Sequence, residues 1–417
     1  MYSREFRRLS SVTQVAWAGE SYFYHDRLTH SLKASQVARS VANILINERE
    51  YDDFDAEEHI NPVVAESAAL AHDIGHPPFG HAAESKLNEL VSEEHGGFEG
   101  NAQSFRIVAN SANRRLDEQG LNLTLATYNA ILKYPWGATD TESDLDYVPE
   151  EWNDSKWGYY STEKEFFETV REHLDFEKGR LSVEAQIMDY ADDVTYAIHD
   201  LDDFYRAGLI PLDRLLQQSP ERERAIDYLK DKIDPDESEI RQAFEDLTEN
   251  LIPEEETTLL TPFQGTDEEI SEMNRLNSFL VERYLAPFVP EDLKLNEEQL
   301  KLEVADRLEA EISVLKELTF FYVIDNPSLA SQQQGQNKII ERLFEVLSEA
   351  AEPGDDPAHV IPSPHRERIK ELEPHQARER ERRVVDIIVS MTETQALEMY
   401  KRLEGYTPGS VREGILK

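Results

Sequence analysis

The segment AHDIGHPPFGHAAE, residues 71–84, sets three histidines and two carboxylates within fourteen positions around a Pro-Pro step. Imidazoles and carboxylates together can hold a divalent cation, or move protons near neutral pH. His72 falls on an apolar stripe with Val64 and Ala68 at steps of four, where a lone histidine is ordinarily a core residue. Asp73 beside it needs a partner if it is buried. The spacing predicts a helix over 63–73, ended by Gly75 and barred from continuing by Pro77 and Pro78. His76 comes one turn after His72, and His81 and Glu84 stand three apart at the start of a next helix. Several titratable groups are thereby aimed at one corner.

A His–Asp pair supplies too few ligands for a metal ion, and two more candidates lie elsewhere. His30, in RLTHSLKASQVAR, shares a helix face with Ala34, Val37 and Val41. Asp192, in IMDYADDVTYAIHDLDD, sits mid-helix, where a charge is normally kept off the packed side. Asp192, Tyr196 and Asp200 follow at steps of four and form one ridge, which spacing alone leaves as either a solvated edge or an inner wall. The chain has no cysteine, so a metal would be held by histidine and carboxylate, which suits manganese, magnesium, iron or zinc.

The elements that must position these groups read as helices almost throughout. Apolar stripes predict helices over 28–48, 63–73 and 183–206, and near 160–174, 222–232, 237–251, 268–286, 297–318, 336–351 and 384–404. No period-two alternation stands out, although TFFYVIDNP reads equally as a short strand or a buried helical turn. The acidic stretch 137–158 and the segment 352–375, with five prolines, read as surface connections. No run is long and apolar enough for a bilayer, and MYSREFRRLSS lacks the apolar core of a signal peptide, so the expected location is the cytoplasm.

Charge is the extreme feature of the composition. Against 85 acidic residues stand 43 basic ones, a net of −42, and arginine (28) outnumbers lysine (15). The acids are dispersed rather than gathered in a tail, which suits a salt-rich cytoplasm where self-repulsion is screened. Broad nucleic-acid binding is disfavoured, because phosphate contacts need basic surface.

The order H…HD…D in a helical chain resembles the HD-domain metal phosphohydrolases, and its finer motifs resemble the deoxyguanosine triphosphate triphosphohydrolase family. The matching pieces are RRLSSVTQV (7–15), RLTHSLKASQVAR (27–39), AHDIGHPPFGHAAE (71–84), GGFEGNAQSFRIV (96–108), GLNLTLATYNAILKYPW (120–136), ADDVTYAIHDLDD (191–203) and VVDIIVSMTETQAL (384–397). The resemblance implies an all-α HD-domain fold with a C-terminal helical elaboration. Residues 1–210 would form the phosphohydrolase core and 211–417 a helical part packed on it. It further implies cleavage of a deoxynucleoside triphosphate, nominally dGTP, into deoxynucleoside and inorganic triphosphate.

Position by position, the resemblance makes His30, His72, Asp73 and Asp192 ligands of one divalent metal, manganese or magnesium first, with iron, nickel or zinc as alternatives. His81 with Glu84 matches the catalytic histidine and its carboxylate, and His76 a further pocket histidine. Arg27, Lys133, Tyr134 and Lys156 match phosphate-facing residues. Gln14, Val15, Tyr196 and Asp200 match groups around sugar and base. Family members form oligomers, commonly hexamers, and differ in the nucleotide cut and in activation by a second dNTP or single-stranded DNA. SMTET replaces the more familiar GMTD near the C-terminus, which weakens transfer from that region. Two other functions stay open at this point. One is another HD phosphohydrolase acting on nucleoside monophosphates, cyclic nucleotides or guanosine tetraphosphate; the other is a catalytically idle nucleotide sensor.

Overall fold

The computed structural model describes residues 1–14, 25–47, 51, 54–112, 120–149, 152, 155–251, 257–287, 289, 292–324, 327–354 and 359–407. Within them lie α1 (Arg4–Arg8), α2 (Arg27–Asn47), α3 (Pro62–Ala71), α4 (Gly80–Leu90), α5 (Gly100–Arg106), α6 (Leu125–Ala130), α7 (Lys164–Leu174) and α8 (Val183–Arg206). There follow α9 (Leu212–Leu215), α10 (Pro220–Leu229), α11 (Glu237–Leu251) and α12 (Asp267–Leu285). A hairpin of β1 (Leu293–Asn296) and β2 (Lys301–Val304) then leads to α13 (Asp306–Thr319), α14 (Pro327–Ala350), α15 (Ser363–Lys370), α16 (Ala377–Val389) and α17 (Glu393–Leu403). The all-α expectation holds, with the hairpin as the sole sheet among the described residues.

The centre is a three-helix contact of α2, α3 and α8. Ala34, Ala38 and Ala42 of α2 meet Ala65, Ala68 and Ala69 of α3 and Ala191 of α8, all fully buried. Small side chains let helix axes approach closely, so the short arms of His and Asp on three different helices can reach one point. α14 packs along α4, α16 and α17, and α13 lies against α8 and α11.

Local chemistry explains the main departures from the expected elements. The helix expected from 297 begins at Asp306; before it, Leu293 and Leu295 alternate with polar residues, and β1 pairs antiparallel with β2, Leu293 opposite Val304. Gln186 of α8 grips that hairpin, accepting from Leu302 N at 2.8 Å and donating to Leu300 O at 3.0 Å. The helix expected over 384–404 is two, since Thr392 starts α17 with a capping box to Gln395. Within 352–375, read as a loop, Ser363–Lys370 is helical, begun by Pro364 in its first turn. TFFYVIDNP continues α13 as a π-turn over Phe320–Ile324 rather than as a strand; residues 325 and 326 lie outside the described residues. α3 ends at Ala71, earlier than expected, and Gly75 serves packing instead: a Cβ there would sit 2.2 Å from Ser104 N on α5.

Candidate active site

His72 caps the C-terminal end of α3, and its Nδ1 lies 2.7 Å from the carbonyl of Ala69. A carbonyl only accepts, so Nδ1 carries a proton, and in the neutral ring Nε2 presents a lone pair. That lone pair faces Asp192 Oδ1 at 3.3 Å and Asp73 Oδ1 at 3.6 Å, and Nε2 is buried without a hydrogen-bond partner. His30 Nε2, from α2, stands 2.8 Å from the same Asp192 oxygen. His30, His72 and Asp73 bring one ligand atom each within 4.8 Å of one another. Lone pairs converging in a buried corner repel unless a cation lies among them. Two imidazole nitrogens and two carboxylates fit a divalent ion on that ground.

The electrostatics agree. Burial alone would push the Asp73 carboxyl up, but Arg27, His76 and His72 hold it well below the usual carboxylate range. Burial likewise opposes ionisation of Asp192, and His72 and His30 outweigh it. For His72, burial lowers the pKa, but Asp73 and Asp192 carry it up to about 9. This corner holds negative charge and attracts positive charge.

Beside it lies a second cluster. His81 Nδ1 is 2.9 Å from Glu84 Oε2, and His76 Nε2 is 4.0 Å from the same oxygen. Gly100 N donates to Glu84 Oε1 at 2.9 Å, and Lys156 Nζ stands 3.8 Å from it. Burial works against ionisation of Glu84, yet the hydrogen bond with His81 and the nearby His76 and Lys156 hold it well below the usual range. With an ionised Glu84 accepting from Nδ1–H, the His81 Nε2 is left free, and its side chain is 61% exposed. His76 Nδ1 sits 3.0 Å from Asp73 Oδ1, so this histidine bridges the two clusters.

Three cations surround these carboxylates. Arg27, 1% exposed, donates from Nη1 to Asp73 Oδ2 at 2.7 Å and from Nε to Thr13 O at 3.1 Å, leaving Nη2 unpartnered. Lys133 contacts Asp189 and lies 3.6 Å from Asp192 Oδ2. Lys156 pairs with Glu99 at 3.3 Å. The Tyr134 hydroxyl lies near enough to Lys133, Asp189, Glu99 and Lys156 to feel their charges, while its ring is tilted on Trp136 at 5.5 Å in a small aromatic cluster.

The ridge on α8 turns inward. Asp200 is buried and bonded to the Tyr196 hydroxyl, and burial with nearby Asp203 raises its pKa well above the ordinary value. Tyr196, Gln14 and His81 line one side of a cleft. Val15 lies outside the described residues.

Several contributors escape sequence reading. Asp189 precedes Asp192 by three on α8, a spacing that does place both on one face. Glu99 caps α5 through Ala102 N at 3.0 Å and simultaneously holds Lys156. Arg8 ties the turn of the HD pair from behind, donating to Ile74 O at 3.1 Å and His76 O at 2.6 Å. Nothing in their local spacing signals the last two.

Comparison with known proteins now bears on this geometry. The HD domain family matches residues 27–197, and the phosphohydrolase-associated domain matches residues 302–402. A deoxyguanosinetriphosphate triphosphohydrolase-like protein of Streptomyces coelicolor is 33% identical over 428 residues, covering 97% of this chain and 91% of its own. Proteins of the same description from Corynebacterium efficiens and Shewanella sp. ANA-3 are each 31% identical, covering 97% and 98% of this chain and 89% and 91% of their own. The chain belongs to the deoxyguanosinetriphosphate triphosphohydrolase-like family of HD-domain phosphohydrolases. As a triphosphohydrolase-like HD protein it is a hydrolase, and its buried His/Asp corner could hold a metal ion. Among the described residues no helix is long and apolar enough to cross a membrane.

Proposed function

We propose that this phosphohydrolase cuts deoxynucleoside triphosphates, nominally dGTP, into deoxynucleoside and inorganic triphosphate. The observation that carries the reading is the meeting of His30, His72, Asp73 and Asp192, with Arg27, Lys133 and Lys156 placed around them. A divalent ion held by those four residues, manganese or magnesium for preference, would supply Lewis-acid polarisation of a phosphate oxygen and of water. In the reaction a water oxygen bonds to the α-phosphorus, the bond from phosphorus to the 5′-oxygen breaks, and that oxygen leaves with a proton. His81 stands ready to move this proton, since Glu84 orients its ring and stabilises the imidazolium. Arg27 offers an unused Nη2 to a phosphate oxygen, and Lys133 and Lys156 offer point charges. Tyr196 and Asp200 act as one hydrogen-bonded unit toward the sugar, where Tyr196 would obstruct a 2′-hydroxyl.

On this reading residues 1–210 carry the chemistry, and 211–417 brace it. A homo-oligomer, a hexamer for preference, is part of the same expectation. The test is a panel of the four dNTPs plus GTP, with manganese or magnesium returned to chelated protein in molar KCl. Products are resolved by ion chromatography, with His72→Ala as control. Inorganic triphosphate from dNTPs but not from GTP supports the proposal; orthophosphate or no product overturns it.

A further inference from the structure

Next to the His/Asp corner stands a further histidine cluster that no step of the proposed reaction uses. His199 follows Asp192 by seven on α8, two turns along the same helix face, and is 6% exposed. Its ring meets that of His30 edge-on, with centroids 6.0 Å apart and planes at 79°. His25 lies parallel to it, with centroids 4.2 Å apart and 6° between the planes. Asp203, one turn further along α8, holds His25 twice, accepting from its backbone N–H and pairing with its Nδ1, both at 2.7 Å. Lys33 Nζ lies 3.0 Å from His25 Nε2, and an ammonium only donates. His25 therefore accepts at Nε2 and donates at Nδ1. With both nitrogens committed, it is a fixed plate against which the His199 ring is located.

Two nitrogens of this cluster are left unsatisfied. His30, fully buried, turns Nε2 to Asp192 at 2.8 Å, and its Nδ1 is buried with no hydrogen-bond partner among the described residues. Nδ1 of His199 is buried in the same condition. A histidine that offers one nitrogen's lone pair to a cation carries its proton on the other, and that N–H needs an acceptor. Asp203 is committed to His25, and no carboxylate pairs with His199 among the described residues. A buried imidazole so placed stays neutral and keeps a lone pair to accept with. One water accepting from His30 Nδ1 and donating to His199 Nδ1 satisfies both rings. We infer that His199 is a positioning residue of the metal corner: across one buried water it fixes the tautomer and tilt of His30, and His25 with Asp203 fixes His199 in turn. The inference rests on the divalent-ion reading of the corner and not on which nucleotide is cut.

The test uses the full chain, stripped of metal by chelation. Manganese is titrated by calorimetry into wild type, into His199→Phe, which keeps an aromatic ring without an acceptor, and into His199→Asn, which returns an amide acceptor. Thermal melts of the metal-free proteins check that each is folded. Affinity of His199→Phe is expected to fall about 10–100-fold, the range for losing the outer partner of a ligating histidine. His199→Asn should bind at least about threefold more tightly than His199→Phe, the worth of one regained hydrogen bond. A ring that merely fills space would leave His199→Phe at wild-type affinity, and that result overturns the inference, as does an Asn variant no tighter than Phe. Should the variants fail to fold, a crystal structure of the wild type decides: one ordered water bonded to both Nδ1 atoms is expected, and its absence overturns the inference. If wild type takes up neither manganese nor magnesium, the divalent-ion reading falls as well; if wild type binds and His199→Phe binds equally, only the role of His199 falls.

Discussion

The carboxylate of Glu393 accepts the backbone N–H of Thr13 at 2.8 Å and that of Phe79 at 3.2 Å, through the same oxygen. It ties the start of α17 to two residues that line the cleft. Phe79 holds a left-handed backbone at φ 71°, unusual for a bulky side chain, and this contact helps keep it there. SMTET, which stands where GMTD is more familiar, thus reaches the cleft through Glu393. Replacing Glu393 with Ala leaves two amide donors without their charged acceptor, at about 1.5–3 kcal/mol per bond. The expected result is a lower urea midpoint at unchanged m and a reduced kcat/KM, both partly restored by Glu393→Gln.

Metal uptake should depend on the buried corner. Asp192→Asn keeps the shape but removes the charge shared by His30 and His72. Titration calorimetry with manganese on chelated protein should show affinity weakened by more than the ~10–100-fold typical of outer-shell changes. Wild type should melt at a higher temperature after manganese is returned, and Asp192→Asn should not respond.

Glu84→Gln separates proton transfer from binding. The amide carbonyl still accepts from His81 Nδ1–H, but no charge remains to stabilise the imidazolium. kcat should fall by roughly 10²–10⁴-fold while KM and manganese affinity stay near wild type. An equal loss in KM would show that Glu84 serves binding instead.

Acid stability should pass through Asp386. Its carboxylate is buried with Arg106, accepting from Nε at 3.0 Å and Nη2 at 2.9 Å, and so joins α16 to α5. Burial pushes this carboxyl up, but Arg106 and Arg383 hold it below its ordinary value. A depressed folded pKa means stability that is complete above the unfolded value near 3.8 and lost as pH falls through the folded one. Asp386→Asn should therefore be less stable at pH 7, by about 3–5 kcal/mol for a broken buried pair, and should lose less on acidification toward pH 3. Denaturant melts across pH measure both.

Salt should stabilise the chain. With a net charge of −42, raising KCl from about 0.1 to 1 M shortens the screening length from about 10 to 3 Å and relieves self-repulsion. Thermal melts should rise over that range, and a fall would remove the case for adaptation to a saline cytoplasm.

Much of the site was legible before any fold. His72 and Asp73 stood out because adjacent ionisable groups at a helix end need partners, and Asp192 because a charge interrupts a packed stripe. The ridge of Tyr196 and Asp200 was visible but not its direction, since a period of 3.6 shows which residues share a face and not what the face meets. The β1–β2 hairpin was missed because four-residue strands carry too short an alternation, and their grip comes from Gln186 over a hundred residues earlier.

Local chemistry by itself determined the helical class, the absence of thiolate ligands and the short roster of groups able to hold a cation, because periodicity and residue type act over a few positions. Tertiary structure alone decided that Asp189 meets Lys133, that Glu393 clamps Thr13 and Phe79, and that His199 of α8 lies against His30. Those pairings join residues tens to hundreds of positions apart. Whether such residues meet depends on how whole helices pack, which local spacing does not encode.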